Sequence, residues 1–254
     1  YTSSPRPQSA PNSVLVACFG FAQTAGGDLG TDRSLVAMES KMKFHLEGLN
    51  GKQIQILRKF GREFDQRSFY LGGGTALAVY FGHRLSVDLD WFTSNPIDDA
   101  LLLAESLRRA GLDFMTTQSA PGTLHGTLMG VRVSLLEYRY PLLQSPTIWK
   151  EMSCSLASLD DLASMKLSAV AGRGARKDFC DVYVLGVKHR SLPELIRLYQ
   201  RKFKMDYISP VLYGLSYFDD AESERMPRML LNVQWRTIKR TIQEWVREIG
   251  RVSS

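Results

Sequence analysis

The stretch that decides the fold is residues 69–92, which read FYLGGGTALAVYFGHRLSVDLDWF. The apolar residues at its start predict a short strand, the three consecutive glycines a turn, and residues 75–80 a helix. From Leu85 to Phe92, polar and apolar residues alternate with the period of a strand. The order of strand, glycine turn, helix and strand predicts an α+β core.

Two carboxylates, Asp88 and Asp90, lie two residues apart in the second predicted strand. Their side chains leave the same face of the strand, together with Arg84 and Ser86 if the strand begins early. Two like charges on one face repel, and a hard divalent cation, Mg²⁺ or Mn²⁺, would relieve that repulsion. The alternative is a solvated strand edge, and the spacing alone does not decide between the two.

The glycine turn, Gly72-Gly73-Gly74-Thr75, precedes these aspartates. Glycines let the backbone approach a ligand closely, and the amides at the start of the following helix can bind an anion. A triphosphate held there could share a divalent cation with both carboxylates. A tight strand-to-helix turn without a ligand is the alternative.

The remaining periodicity divides the chain into two parts of different character. Helices are predicted over 51–64 and 98–110, and strands near Phe114, near Leu124 and over 131–136. After Pro146 the patterns are almost all helical: 158–172, 177–186, 192–203 and 228–249. We therefore predict a leader over 1–40, an α+β core over 41–146 and a helical C-terminal lobe over 147–254.

Composition restricts the class of protein. The chain has 254 residues, of which 44% are hydrophobic and 23% charged, and a net charge of +6. These values indicate a globular protein with no membrane-spanning segment, and the three cysteines predict no disulfide framework and a cytoplasmic location. The Ser-, Pro-, Ala- and Gly-rich leader is predicted to be flexible or non-native, with a natural start at Met38 or Met42 and no need for the residues before it.

Taken in order, Phe69–Leu77 and His83–Phe92 closely resemble the AbiEii/AbiGii toxin family of nucleotidyltransferases. Lys166–Arg173 and Arg176–Tyr183 are similar to the family's K-xx-A and KD-xx-D helical motifs. The resemblance implies a polymerase-β-like nucleotidyltransferase fold, a mixed sheet flanked by helices, with a helical second lobe. Such enzymes transfer a nucleotide from an NTP to an acceptor, and several act as toxins of bacterial toxin–antitoxin pairs, with tRNA ends among the acceptors.

The resemblance also implies roles for individual residues. It makes Asp88 and Asp90 metal ligands, Lys166 a contact to the nucleotide phosphates and Asp178 an essential acid. The expected nucleotide-binding residues are Gly72, Gly73, Gly74, Thr75, Arg84, Ser86 and Lys166. An intramolecular salt-bridge cluster is the alternative for Lys166 and Asp178, and Asp178 could also orient that lysine or act as a base on the acceptor hydroxyl.

One position departs from the wider superfamily, in which a neighbouring strand often supplies a third carboxylate. The matching stretch is VRVSLLE, residues 131–137, with Ser134 where an acid is expected. Glu137 is three residues further on, so its side chain leaves the opposite face of the strand. Either Asp178 substitutes for that acid or two carboxylates alone bind the metal. His83 and His125 could contact phosphate, although a structural or solvated role is the usual one for a lone histidine.

The sequence thus predicts a metal-dependent nucleotidyltransferase that takes an NTP and an RNA acceptor and is controlled by a separate antitoxin. The alternatives are a catalytically silent RNA- or partner-binding module and a transferase that modifies antibiotics. Between residues 225 and 251, seven Lys and Arg residues stand against two Glu near the end of the chain. Their helical spacing predicts one apolar and one basic face, and the basic face either guides RNA or is merely solvated.

Overall fold

The computed structural model describes residues 43–252. The predicted leader over 1–40 and both candidate start methionines lie outside the described residues. Short 3₁₀ turns occur at Leu46–Gly48 and Lys150–Met152. The strands are β1 (Tyr70–Leu71), β2 (Asp88–Thr93), β3 (Phe114–Ala120), β4 (Thr123–Leu128), β5 (Val131–Glu137), β6 (Thr147–Trp149) and β7 (Cys154–Leu156). The helices are α1 (Gly51–Gln66), α2 (Gly73–Phe81), α3 (Ala100–Arg109), α4 (Leu159–Gly172), α5 (Arg176–Lys188), α6 (Leu192–Phe203), α7 (Ser209–Ser216), α8 (Asp219–Ser223) and α9 (Trp235–Val252).

The seven strands of residues 43–252 form one sheet in the order β3-β4-β5-β2-β1-β7-β6. Strand β2 is parallel to β5 and β1 is parallel to β7, whereas the other neighbours are antiparallel. The sheet is therefore mixed and flanked by helices, as the resemblance implies, and the predicted α+β class is confirmed.

The two faces of the sheet differ in burial, because successive side chains of a strand alternate between faces. One face carries fully buried residues such as Leu89, Trp91 and Leu135, and Trp91 stacks on Phe64 of α1 with ring centroids 4.4 Å apart. On strands β2, β5 and β4 the opposite face carries polar side chains that are half-buried or exposed. We call this second surface the open face; it holds Asp88 and Asp90.

Helices α5, α6 and α7 all pack against α4, and α2 contacts both α4 and α5. Helix α4 begins after Ser158, whose hydroxyl accepts the Asp161 N–H at 3.0 Å and so caps the helix. Helix α2 thus connects the glycine turn of the sheet to the two helices that carry Lys166 and Asp178. None of the helices within residues 43–252 is long and apolar enough to cross a membrane.

Two predicted element boundaries are wrong, and two short strands were not predicted. Strand β2 begins at Asp88 rather than near Leu85, because the Leu85 and Ser86 amides donate to Arg228 and Gly48 instead of a sheet partner. The last helix begins at Trp235 rather than near residue 228, because the preceding segment is bonded to the carbonyl of His83. Strands β6 and β7 follow the predicted lobe boundary at 146, so the helical part begins at Leu159.

Candidate active site

The glycine turn places the start of α2 directly beside the paired aspartates. The Gly72 N–H donates to the Asp90 carbonyl at 2.8 Å, which joins the turn to β2. Gly73 has φ +62°, and a Cβ atom there would lie 2.8 Å from Oδ2 of Asp90. The positive φ and this close approach together require glycine at position 73. The sequence feature predicted as a phosphate turn is therefore also needed for packing against Asp90.

The first three amides of α2 have no hydrogen-bond acceptor among the described residues. They belong to Gly73, Gly74 and Thr75, and the N-cap residue, Gly72, has no side chain that could accept from them. Such unpaired N–H groups form the positive end of the helix dipole and favour an anion. The helix end next to Asp90 therefore has the chemistry for binding a phosphate group.

Thr75 and Ser86 turn their hydroxyls inward, where they hold the start of β2. The Thr75 hydroxyl is 2.5 Å from the Asp88 carbonyl and 2.6 Å from the Ser86 hydroxyl, and both side chains are buried. Gln53 of α1 donates to the same carbonyl at 3.3 Å, a contact that the sequence did not reveal. These side chains position Asp88, and at Thr75 the backbone amide is the group left to meet a ligand.

Asp88 and Asp90 share the open face of β2, as predicted, but differ in their partners. Asp88 Oδ1 accepts from Arg132 Nε at 2.7 Å, and the Arg132 side chain is 72% exposed. The Asp90 carboxylate is half-buried and has no hydrogen bond or ion pair with the rest of the described chain. An unpaired, half-buried carboxylate next to a second one leaves negative charge that a cation would neutralise.

A divalent cation fits this donor set, since carboxylate oxygens suit Mg²⁺ or Mn²⁺ and Mg²⁺ commonly uses one or two carboxylates together with substrate phosphates. Ser134 lies beside Asp90 in the register of β2 and β5, where the sequence lacks the third acid. Glu137 is on the other face and accepts the Ile97 amide at 2.8 Å. Within residues 43–252, no group of three or more His, Cys, Asp or Glu side chains could hold a metal ion. The candidate metal ligands are therefore the two aspartates.

Lys166 forms ion pairs with two carboxylates of α5. Its Nζ lies 3.0 Å from Asp178 Oδ1 and 2.8 Å from Asp181 Oδ2, and the residue is 5% exposed. Burial alone would lower the pKa of Lys166, but the Asp181 and Asp178 charges outweigh it and raise that pKa. Lys166 thus lies in a salt-bridge cluster, the alternative to a phosphate contact. Its ammonium does not face an open site.

Arg84 and His83 complete this cluster from the segment that precedes β2. Arg84 forms a bidentate pair with Asp181, at 2.7 Å from Nε and 2.8 Å from Nη2, and is 4% exposed. His83 Nε2 lies 2.8 Å from the same carboxylate, and burial lowers the pKa of His83. Burial would raise the pKa of Asp181, yet the Arg84 and Lys166 charges hold it well below its usual value. In this arrangement Arg84 and His83 bind a carboxylate rather than a phosphate.

Asp178 is bonded to two cations and is fully buried. It accepts from Lys166 and also from Arg173, whose Nε and Nη2 lie 2.7 Å and 3.0 Å from its two oxygens. Burial would raise the pKa of Asp178, but Lys166 and Arg173 lower it. A carboxylate with a lowered pKa and two bonded cations is a poor general base, so the geometry favours an orienting role for Asp178.

Arg173 is the exposed cation of the cluster, and the charge of Asp90 also acts on it. Its side chain is 54% exposed, and its pKa is raised, first by its hydrogen bond to Asp178 and then by the charges of Asp178 and Asp90. In the sequence Arg173 only ends a segment that resembles a family motif, and no role at the site is predicted for it. The described geometry thus brings one exposed guanidinium, two carboxylates and three free amides towards the same region.

A mixed sheet with a glycine-initiated helix beside two aspartates on one strand face is the arrangement of a nucleotidyltransferase. Residues 55–246 match the family model described as nucleotidyl transferase AbiEii toxin, Type IV TA system. The chain belongs to this AbiEii family, and it is a nucleotidyltransferase. The resemblance seen in the sequence is confirmed.

The chain is also similar to individual proteins. An uncharacterized protein of Aquifex aeolicus (strain VF5) is 37% identical over 159 residues, which cover 61% of this chain and 76% of that protein. The nucleotidyltransferase toxin MenT4 of Mycobacterium tuberculosis is 16% identical, with 85% of this chain and 90% of that chain covered and a TM-score of 0.46. The antibiotic-resistance factor ANT(2'')-Ia is 11% identical, with 60% of this chain and 91% of that chain covered and a TM-score of 0.46.

Proposed function

We propose that this nucleotidyltransferase is metal-dependent and transfers a nucleotide from an NTP to RNA, at a tRNA end, as the toxin of a bacterial toxin–antitoxin pair. The observation that carries the proposal is the unpaired Asp90 carboxylate beside the free amides of α2. Phosphoryl transfer depends on positioning and charge neutralisation more than on covalent catalysis. A cation site next to an anion site supplies both.

In this mechanism Asp88 and Asp90 hold Mg²⁺ or Mn²⁺, and the amides of Gly73, Gly74 and Thr75 bind the NTP phosphates. The bound cation would supply charge neutralisation and polarisation of the phosphoryl oxygens. Arg173 extends from the helical part towards Asp90, where its exposed guanidinium can contact a phosphate oxygen. The Asp178 carboxylate orients this guanidinium through two hydrogen bonds.

Labelled NTPs test the reaction directly. The full chain is incubated with each of the four α-labelled NTPs and total RNA, with Mg²⁺ and with a chelator. We expect labelled tRNA in the presence of metal, and its loss in Asp90→Asn. Asp113→Asn serves as the matched control, because Asp113 is an exposed acid without a partner in the described chain. Transfer that persists in Asp90→Asn, or without metal, would contradict the metal assignment.

The RNA acceptor is supported by an arginine stripe on α9, formed by Arg236, Arg240, Arg247 and Arg251. At about 100° per residue these four positions fall within about 60° of the helix circumference. The buried Ile238 and Ile242 lie on the opposite side. All four arginines are exposed, and their ion pairing within residues 43–252 is limited to Arg240 with Glu244 at 3.8 Å. Lys239, by contrast, pairs with Glu222 and is not part of the stripe.

Salt dependence separates phosphate binding from simple solvation of these cations. Changing Arg236, Arg247 and Arg251 to Gln should weaken tRNA binding and reduce the slope of log K against log salt by about 2, because each neutralised phosphate contributes about 0.7–0.9 to that slope. The control removes three exposed charges from α1, at Lys52, Arg58 and Arg62. An equal slope in both triple variants would move the acceptor surface elsewhere on the protein.

Toxin activity is tested by induced expression in a bacterial host. We expect growth arrest with the wild-type chain, normal growth with Asp90→Asn, and recovery when the cognate antitoxin is co-expressed. Transfer to an antibiotic with no labelled RNA would support the small-molecule alternative instead. Binding of RNA without any transfer would support the silent-module alternative.

A further inference from the structure

Three side chains form a row across the open face, next to the candidate metal ligands. In the strand register Asp90 lies beside Ser134 of β5, and Ser134 lies beside His125 of β4. At about 4.8 Å between neighbouring strands, the Cα atoms of Asp90 and His125 are about 10 Å apart. The residue between them, Ser134, has a short side chain and is half-buried.

His125 is available for proton transfer within this row. On the open face of β2, β5, β4 and β3, the titratable side chains are Asp88, Asp90, Arg132 and His125. The neighbour of His125 on the edge strand β3 is Gln118, which does not titrate. The His125 ring is half-buried and has no hydrogen bond to any other residue of the described chain.

The other candidate proton acceptors are engaged. Asp88 is paired with Arg132, and Asp178 is bonded to both Lys166 and Arg173. Asp90 is assigned to the cation. Attack by an acceptor hydroxyl requires a group that removes its proton, and a histidine within reach of that hydroxyl is the commonest choice in enzymes.

We propose that His125 is the general base that activates the acceptor hydroxyl, which makes it a further catalytic residue that rests on the proposed nucleotidyl transfer. The acceptor hydroxyl gives its proton to an imidazole nitrogen of His125, and its oxygen forms a bond to the α-phosphorus of the NTP. The bond from that phosphorus to the oxygen bridging the α- and β-phosphates breaks, and pyrophosphate leaves with the electron pair. The acceptor therefore lies over Ser134, between Asp90 and His125.

The test compares His125→Gln with the wild type in steady-state transfer to tRNA. We expect kcat to fall about 100- to 10,000-fold, the range that a general base contributes, with KM for the NTP nearly unchanged. Gln118→Ala is the matched control, since Gln118 is the neighbour of His125 on the side away from Asp90. Thermal unfolding curves of both variants check that the fold is retained.

A second variant distinguishes a base from a structural histidine. In His125→Ala the missing ring leaves space for free imidazole, and added imidazole should restore part of kcat, a recovery that a purely structural role would not give. Wild-type kcat in His125→Gln, or a loss in His125→Ala that imidazole does not restore, would overturn the assignment. If the wild-type chain itself labels no acceptor, the proposed function fails, and the role of His125 fails with it. Activity in the wild type with full activity in His125→Gln overturns this inference alone.

Discussion

Asp181→Asn should be among the most destabilising single changes in this protein. The Asp181 side chain has no exposure to solvent and accepts from Arg84, Lys166 and His83. Asparagine keeps the shape but removes the charge, and its amide nitrogen donates where three donors already converge. Three cations of the cluster, Arg84, Lys166 and Arg173, would then face Asp178 as their one remaining carboxylate.

The magnitude follows from the burial of these groups. Removing one partner of a buried ion pair costs about 3–5 kcal/mol, because an uncompensated charge stays buried. For a chain of this size about 1 kcal/mol corresponds to about 2–4 °C in melting temperature, so we expect a decrease of about 10 °C. The same change at Asp88, which is 27% exposed and pairs with a largely exposed Arg132, should cost less than about 1 kcal/mol.

Urea denaturation at pH 7, followed by circular dichroism, measures both variants against the wild type. The pair of Asp→Asn changes is matched in chemistry and differs in burial and partners, which isolates the contribution of the cluster. A loss below about 1 kcal/mol in Asp181→Asn would refute the reasoning, since it would mean that the buried cations are solvated or rearranged at little cost. Replacing both partners, as in Arg84→Met with Asp181→Leu, should cost less than Asp181→Asn alone.

Three further predictions follow from the site. Gly73→Ala should lower both stability and transfer rate, since its φ of +62° is strained for alanine and the new Cβ would meet the Asp90 carboxylate; melting and labelled-NTP assays check this, and wild-type values in both would contradict it. Calorimetry on Lys166→Ala tests the phosphate contact implied by the family resemblance: we expect NTP affinity to be largely retained, because the buried ammonium is paired with Asp178 and Asp181, whereas a loss of affinity that Lys166→Arg partly rescues would contradict this and support a phosphate contact. Acid should destabilise the protein, because the lowered pKa values of Asp178 and Asp181 add stability above the unfolded-state pKa, about 3.9, that is lost as pH falls through the folded-state values. Urea midpoints measured from pH 7 to pH 3 should fall less in Asp181→Asn than in the wild type.

Much of the core could be predicted from the sequence, because the relevant interactions are local along the chain. The glycine turn followed by helix α2 is a signal of neighbouring residues, and the alternation that begins at Leu85 predicts strand β2, although the strand itself starts at Asp88. Helix α6 has the predicted bounds, Leu192–Phe203, since its apolar spacing and its cap at Ser191 lie within one segment. The two-residue spacing of Asp88 and Asp90 likewise fixes their common face.

Tertiary structure alone decided the partners of the charged residues. Arg84 and Asp181 are 97 residues apart in the sequence, and no local pattern pairs them. The structure places Arg84, Lys166 and Asp178 in one ion cluster, the alternative that the sequence left open for Lys166 and Asp178. The nucleotide contacts of Arg84 and Lys166 and the essential acid role of Asp178 remain predictions from the resemblance. The spacing of Asp178 and Asp181 on one face of α5 is the one sequence signal that could have indicated two acids bound to a shared cation.

The short strands and the row from Asp90 to His125 could not be predicted from the sequence either, because both depend on how the strands pair in the sheet. Strands β6 and β7 have three residues each, too few to establish a periodic pattern, and they exist because β1 offers a sheet edge. His125 reaches the open face beside Ser134 through strand register, which is set by hydrogen bonds between strands rather than by either segment. The sequence by itself determined which residues can perform the chemistry, and the tertiary structure determined which of them are free to do so, because burial and pairing are properties of the folded chain.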